Sequence, residues 1–181
     1  TIYNILNKVN SDIYVAYCPE RVMPGNIIKE LTMNDRIIGG VNEKSAEIVS
    51  KFYASFIDGE ILSTDSKTAE MCKLTENSYR DVNIAFANEI SLICENYDIA
   101  HDELISFANR HPRVDILKPG IGVGGHCIAV DPWFLISSNE NTSELMYQAR
   151  KTNLKKTRIV TEKIVEYSKS FEKINRESPV I

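Results

Sequence analysis

The apolar positions follow two rhythms along the chain. In the first 65 residues they fall in short strand-like runs: Asp12 to Tyr17 (DIYVAY), Arg36 to Gly40 (RIIGG) and Glu60 to Ser63. Between the last two, Ala46, Val49, Phe52, Tyr53 and Phe56 recur at helical steps, which predicts a helix over 42–55. Asp58-Gly59 reads as the turn into the third run. From Ser66 to about Tyr97 the chain has no Gly, no Pro and many good helix formers, so one long helix is expected. A short helix over 101–110, a loop over 111–127 and a helix start near Pro132–Ser137 follow. A second long helix is expected from Ser143 to about Phe171, with Leu154, Val160, Ile164 and Tyr167 free to pack. Its lysines read as a solvated face. Ser178-Pro179-Val180-Ile181 reads as a turn into a strand. The fold class expected is a mostly α central domain with long helices, residues 66–171, flanked by partial α/β segments at 1–65 and 172–181.

Composition narrows the function classes. The chain has 181 residues, 43% hydrophobic and 25% charged, with net charge −4 and pI near 5.5. That balance suits a soluble globular chain and argues against a general nucleic-acid binder, whose surface is basic. No apolar run approaches the roughly 20 residues a bilayer span requires, so no membrane partner is expected. The opening TIYNILNKVNSD lacks a Met, a basic start and an apolar core, which predicts a fragment or processed piece without a signal peptide. Four widely spaced cysteines without C-x-x-C argue against a disulfide framework. The three histidines make no ligand spacing with them, so no metal is expected. A reduced, cytoplasmic protein is the simplest expectation.

The chemistry concentrates in Gly120-Ile121-Gly122-Val123-Gly124-Gly125-His126-Cys127-Ile128-Ala129-Val130-Asp131-Pro132. A thiol at the end of a glycine-rich turn, beside His126 and four residues before Asp131, is a candidate nucleophile. Taken alone, Cys127 reads more simply as a small core hydrophobe. Gly120, Gly122 and Gly125 also fit G-x-G-x-x-G, but Lys118-Pro119 before them and Asp131-Pro132 after them disfavour the strand–turn–helix context that the dinucleotide fingerprint needs. Lys73 and Asn77 lie at i and i+4 on the long helix, where they form either an oxyanion-binding pair or an ordinary polar face. Glu20, after Pro19 at the end of the first strand-like run, stands where α/β loops carry active-site groups; a surface carboxylate is the default. Asp131 reads as a base or a helix N-cap. Arg110 and Arg113 bracket His111-Pro112 and are suited to clamp a phosphate or carboxylate, or else are simply exposed.

Several of these residues stand in an order that resembles the UDP-glucose/GDP-mannose dehydrogenase family: Pro19-Glu20, then Lys73-x-x-x-Asn77, then Gly122-Val123-Gly124-Gly125-His126-Cys127 with Asp131. The wording CPERVMPG, AEMCKLTENSYRDVNIAFANE, ANRHPRVDILKPG and GVGGHCIAVDPWF is similar to the branch acting on UDP-N-acetyl-D-mannosamine, and the resemblance runs over about residues 12–181. It implies a four-electron oxidation of a nucleotide-sugar C6 alcohol to a carboxylate with NAD as cofactor. It implies Cys127 as the nucleophile that forms a thiohemiacetal and then a thioester. Lys73 and Asn77 would stabilise the oxyanion and hold the ordered water, Asp131 would assist as base, and Glu20 would serve acid/base work in the thioester step. Arg113, Gly124, Gly125 and His126 would bind substrate, Arg113 reaching it in a neighbouring subunit. Two departures stand out: Pro24 replaces a second glutamate found in many members, and His126 replaces a serine of the glucose-type enzymes.

The resemblance further implies that 1–65 ends a Rossmann-like NAD-binding domain, that 66–171 is the central catalytic and dimerisation domain, and that 172–181 begins a UDP-binding domain. A homodimer through the long helices and a role in polysaccharide precursor synthesis follow from it. Because the NAD fingerprint is missing, the cofactor-binding residues are unassigned and the 181 residues alone are expected to turn over negligibly. Three competing readings remain: the same oxidation of UDP-N-acetylglucosamine, a helical dimerisation module without activity, and a cysteine hydrolase. The hydrolase lacks a positioned histidine base.

Overall fold

The computed structural model describes residues 2–10 and 12–175, the last four of these as backbone only. The turn and strand expected over 178–181 lie outside the described residues. The chain divides into two compact units, Thr1–Thr75 and Glu76–Ile181, and the division falls within the first long helix.

The first unit contains α1 (Ile2–Leu6), β1 (Ala16–Tyr17), α2 (Ile27–Met33), β2 (Arg36–Gly40), α3 (Glu43–Tyr53), β3 (Ile61–Asp65) and the start of α4 (Ser66–Asn96). The sheet order is β1-β2-β3, with β1 antiparallel and β3 parallel to β2. All five residues of β2 are buried, the expected state of a central strand covered on both faces. Gly39 lets α4 settle on this strand: a Cβ there would sit 2.5 Å from the Ala69 Cβ and 2.7 Å from the Asp65 carbonyl. Side chains start both following helices. Asn42 accepts from the Ser45 N–H at 2.8 Å, and Asp65 accepts from the N–H groups of Lys67 and Thr68 at 2.9 and 3.1 Å.

Two expectations are corrected here. The run from Asp12 to Tyr17 is a strand only at Ala16–Tyr17, because the Val15 N–H is taken by the Ser45 hydroxyl at 3.2 Å instead of a ladder partner. The sequence pattern also misses α2, which is seven residues long and has no fully buried residue.

The second unit contains the rest of α4, then α5 (His101–Ala108), α6 (Asp131–Ser138) and α7 (Glu144–Asn175). A buried polar ladder joins α4 to α7. Arg150 Nη1 donates to Asp81 Oδ1 at 2.5 Å, and Asn153 Nδ2 donates to the same oxygen at 2.8 Å. Asn88 Nδ2 donates to Asn153 Oδ1 at 2.9 Å, and Lys156 Nζ donates to Ser91 Oγ at 2.7 Å. These side chains are buried, and each gains a partner that offsets the loss of water. Burial lowers the pKa of the Lys156 ammonium. It pushes the Asp81 carboxyl up, against the pull of Arg150 and Asn153.

Between α5 and α6 the chain has no regular element. At the end of α5, Asn109 closes the next loop by donating to the Ile116 carbonyl at 2.9 Å and accepting from its N–H at 2.7 Å. No helix among the described residues is long and apolar enough to cross a membrane.

Removing one partner of a buried ion pair leaves the other charge uncompensated. Asp81→Ala is therefore expected to cost about 3–5 kcal/mol of stability, read as the midpoint and slope of a urea unfolding curve.

Candidate functional site

In the first unit, Glu20 leaves β1 in a tight turn. Its Oε1 accepts from the N–H groups of Arg21 and Val22 at 2.7 and 3.0 Å. Its Oε2 lies 3.3 Å from Arg36 Nη1, which also donates to the Pro19 carbonyl at 3.2 Å. Lys73 Nζ, on α4, donates to the Glu20 carbonyl at 2.7 Å. Two cations thus hold one peptide segment. Partial burial acts to raise the Glu20 pKa, but the two backbone N–H groups and Arg36 outweigh it and hold the carboxyl below its ordinary range. Arg36 also lies 5.4 Å over the Tyr53 ring, and Tyr53 hydrogen-bonds Cys18. Burial pushes the Cys18 thiol up, against Tyr53 and Arg36.

In the second unit, Asn77 is buried on α4 and its Nδ2 donates to Asp131 Oδ2 at 2.5 Å. Asp131 is the first residue of α6 and Val130 occupies the N-cap position, so the N-cap reading of Asp131 gives way to an acceptor for Asn77. The Cys127 carbonyl accepts from the N–H groups of Val130 and Asp131 at 3.0 and 2.8 Å, which folds the cysteine turn onto the start of α6. Cys127 is an exposed free thiol, and Cys18, Cys72 and Cys94 are free as well.

The glycine loop before Cys127 docks on α7 and Asn88. The Gly120 N–H donates to Asn88 Oδ1 at 2.8 Å. Gly122 has φ 154°, and a Cβ there would meet Thr157 Oγ1 at 2.0 Å, so only glycine fits this approach. No strand precedes these glycines, and the next helix begins only at Asp131. The loop therefore lacks the strand–turn–helix context of a pyrophosphate cradle. Gly124 and Gly125 carry open space where a Cβ would lie, Gly125 at φ 85°, and His126 beside them is exposed. Arg113 is exposed in the separate loop closed by Asn109, and its N–H donates to His111 Nδ1 at 3.3 Å.

The structure thus brings Glu20 together with Lys73, and Asn77 together with Asp131 and the Cys127 turn. Arg36 and Asn88 are the site residues that the sequence reading missed. The available signal for Arg36 was a charged residue opening an otherwise apolar strand.

Residues 67–155 match the central domain of the UDP-glucose/GDP-mannose dehydrogenase family, and residues 2–57 match the NAD binding domain of the same family. The chain belongs to the UDP-glucose/GDP-mannose dehydrogenase family. A UDP-N-acetyl-D-mannosamine dehydrogenase of Campylobacter jejuni is 57% identical over 154 residues, 85% of this chain and 38% of the relative. An NDP-N-acetyl-D-galactosaminuronic acid dehydrogenase of Ralstonia nicotianae is 53% identical over 161 residues, 89% of this chain and 38% of the relative. A solved UDP-D-ManNAc dehydrogenase of Pyrococcus horikoshii superposes with a TM-score of 0.87 at 46% identity, over 96% of this chain and 42% of that one. The chain therefore spans well under half the length of these relatives.

The first unit fits part of a dinucleotide-binding domain. Its parallel pair β2–β3 opens at the carboxyl ends into a cleft of about 340 Å³ lined by Gly40, Asn42, Ser63, Thr64 and Asp65 among others. Open α/β sheets take ligands at that end of their strands.

Glu20 has a folded-state pKa below its unfolded value of about 4.3. It therefore contributes stability that is present above that value and is lost as pH falls through the folded pKa. The stability advantage of wild type over Glu20→Gln is expected at pH 7 and to vanish in strong acid, as read from urea unfolding at a series of pH values.

Proposed function

We propose that the whole protein carrying this chain is an NAD-dependent 6-dehydrogenase that oxidises UDP-N-acetyl-D-mannosamine to the corresponding uronate. The observation that carries this reading is the 57% identity to a UDP-N-acetyl-D-mannosamine dehydrogenase across both matched domains. The overall change consumes the C6 alcohol, two NAD+ and one water, and yields the carboxylate, two NADH and three protons. NAD, when bound, supplies the acceptor for each hydride. The exposed Cys127 thiol, as thiolate, adds to the C6 aldehyde and gives a thiohemiacetal, whose oxidation leaves a thioester on Sγ. Lys73 and Asn77 supply donors to the oxyanion of the tetrahedral species. Asp131 fixes the Asn77 amide through their hydrogen bond and assists as base. Glu20, held as a carboxylate, takes a proton from the water that cleaves the thioester. Arg113, Gly124, Gly125 and His126 contact the substrate, Arg113 from a neighbouring subunit.

A second substrate reading has its own support. The 53% identity to an NDP-N-acetyl-D-galactosaminuronic acid dehydrogenase favours a galacto-configured substrate. The manno and galacto sugars differ in configuration at C2, which bears the acetamido group, and at C4, and a few pocket contacts suffice to distinguish them.

The test is the NADH yield of the whole protein with UDP-N-acetylmannosamine, UDP-N-acetylgalactosamine, UDP-N-acetylglucosamine and UDP-glucose. Two NADH per UDP-N-acetylmannosamine are expected, with steady turnover lost in Cys127→Ser. A higher kcat/KM for another sugar would reassign the substrate, and no NADH with any of them would overturn the dehydrogenase reading.

The long helices also support a homodimer. Tyr79, Phe86 and Ile93 recur at spacings of seven on α4, and all are exposed. That period makes one stripe on a helix, suited to an isologous contact. Phe86→Glu is expected to shift the protein from dimer toward monomer in sedimentation velocity at micromolar concentration.

A further inference from the structure

Arg36 opens β2, the most buried strand, and is itself only 2% exposed. A guanidinium cannot shed its charge on burial, so its desolvation must be compensated by what surrounds it. Three groups in the first unit do so. The Tyr53 ring receives the cation on its face, the Pro19 carbonyl accepts from Nη1 at 3.2 Å, and the Glu20 carboxylate meets the same nitrogen at 3.3 Å. The buried Nε has no hydrogen-bond partner. Nη1 thus engages two consecutive residues of the turn after β1. Lys73 holds the carbonyl of the second of these from α4.

We propose that Arg36 is a positioning residue for Glu20, fixing the direction of its carboxylate by gripping that carboxylate and the preceding carbonyl together. The proposal rests on the acid/base role given to Glu20 above. Glu20 itself is 56% exposed on its side chain, so packing alone does not set its rotamer. Its Oε1 is occupied by two backbone N–H groups of its own turn. Oε2 is the oxygen facing Arg36, and its direction decides where a proton can be taken. The charged and titratable groups around this carboxylate are Arg36 from β2, Tyr53 from α3, Cys18 and Arg21 from the same loop, and Lys73 at its carbonyl from α4. The Arg36 side chain contacts the carboxylate, whereas that of Lys73 holds the carbonyl, which separates their roles.

A purely structural arginine would affect folding without affecting the thioester step. A positioning arginine affects that step in a folded protein. In the whole enzyme, Arg36→Met is expected to give a burst of two NADH per site, followed by steady turnover slowed about 10²-fold, the scale of a misplaced catalytic group. Intact mass is expected to show the sugar acyl group on Cys127, and Arg36→Lys is expected to restore most of the rate. In carbon-13 NMR of labelled glutamate, the Glu20 carboxyl of Arg36→Met is expected to titrate at higher pH than wild type, with Arg36→Lys in between. A folded Arg36→Met with unchanged Glu20 titration and undiminished turnover would overturn the proposal. If Arg36→Met does not fold, Glu20→Gln serves, since this exposed side chain is tolerant: the Arg36 guanidinium N–H resonances are expected to shift, and their invariance would overturn the proposal. If wild type makes no NADH while the Glu20 titration still responds to Arg36, the dehydrogenase reading falls and the hold of Arg36 on Glu20 stands.

Discussion

Within the second unit, the pairing of Asp81 with Arg150 governs much of what lies around it. Neither charge reaches water, so α4 and α7 are held at the one register that lets the guanidinium meet the carboxylate. Asn153 then shares the same carboxylate oxygen, Asn88 meets Asn153, and the free oxygen of Asn88 takes the N–H of Gly120. A chain of polar contacts therefore runs from the helix pair to the loop that carries Cys127. Apolar packing alone tolerates small sliding between helices, whereas directional hydrogen bonds do not. The long helices consequently act as a ruler for the glycine loop, and Gly122 pressed against Thr157 sets its height.

A different device operates in the first unit. Two cations from different elements, Arg36 and Lys73, converge on Pro19-Glu20, so the turn after β1 is fixed by charge as well as by the buried Pro19 ring. Both devices use polar atoms to aim short irregular segments, while the apolar core supplies the elements they are anchored to.

Much of this was legible in the sequence, and the reasons are specific. Ser66 to Tyr97 read as one helix because it contains no breaker, and the helix runs from Ser66 to Asn96. RIIGG read as a strand and is one at those residues. The glycine run was separated from a dinucleotide fingerprint by its flanking prolines. What escaped has a physical explanation. The strand over 12–17 shortened because a side chain, Ser45, took a ladder position, and side-chain competition of that kind leaves no trace in periodicity. Helix α2 is only seven residues long, too short for a periodic pattern to establish itself, and it has no fully buried residue. Asn88 and Asn153 looked like ordinary polar residues inside long helices, since their importance lies in partners 65 residues apart. The Pro19-Glu20, Lys73, Asn77 and Cys127 positions were recognisable only as an ordered set, because each alone reads as surface or core.

The closure of the loop after α5 has a consequence for how such a protein can change. One amide, that of Asn109, reproduces both hydrogen bonds a neighbouring strand would offer to Ile116. The six residues it encloses are tied at their base by a side chain and not by their own sequence. They form a replaceable cassette: the tip bearing His111, Pro112 and Arg113 can be rewritten, lengthened or exchanged with that of a relative while the ends stay in register. Selection for a new ligand can act on that tip without renegotiating the stability of the helices beneath it.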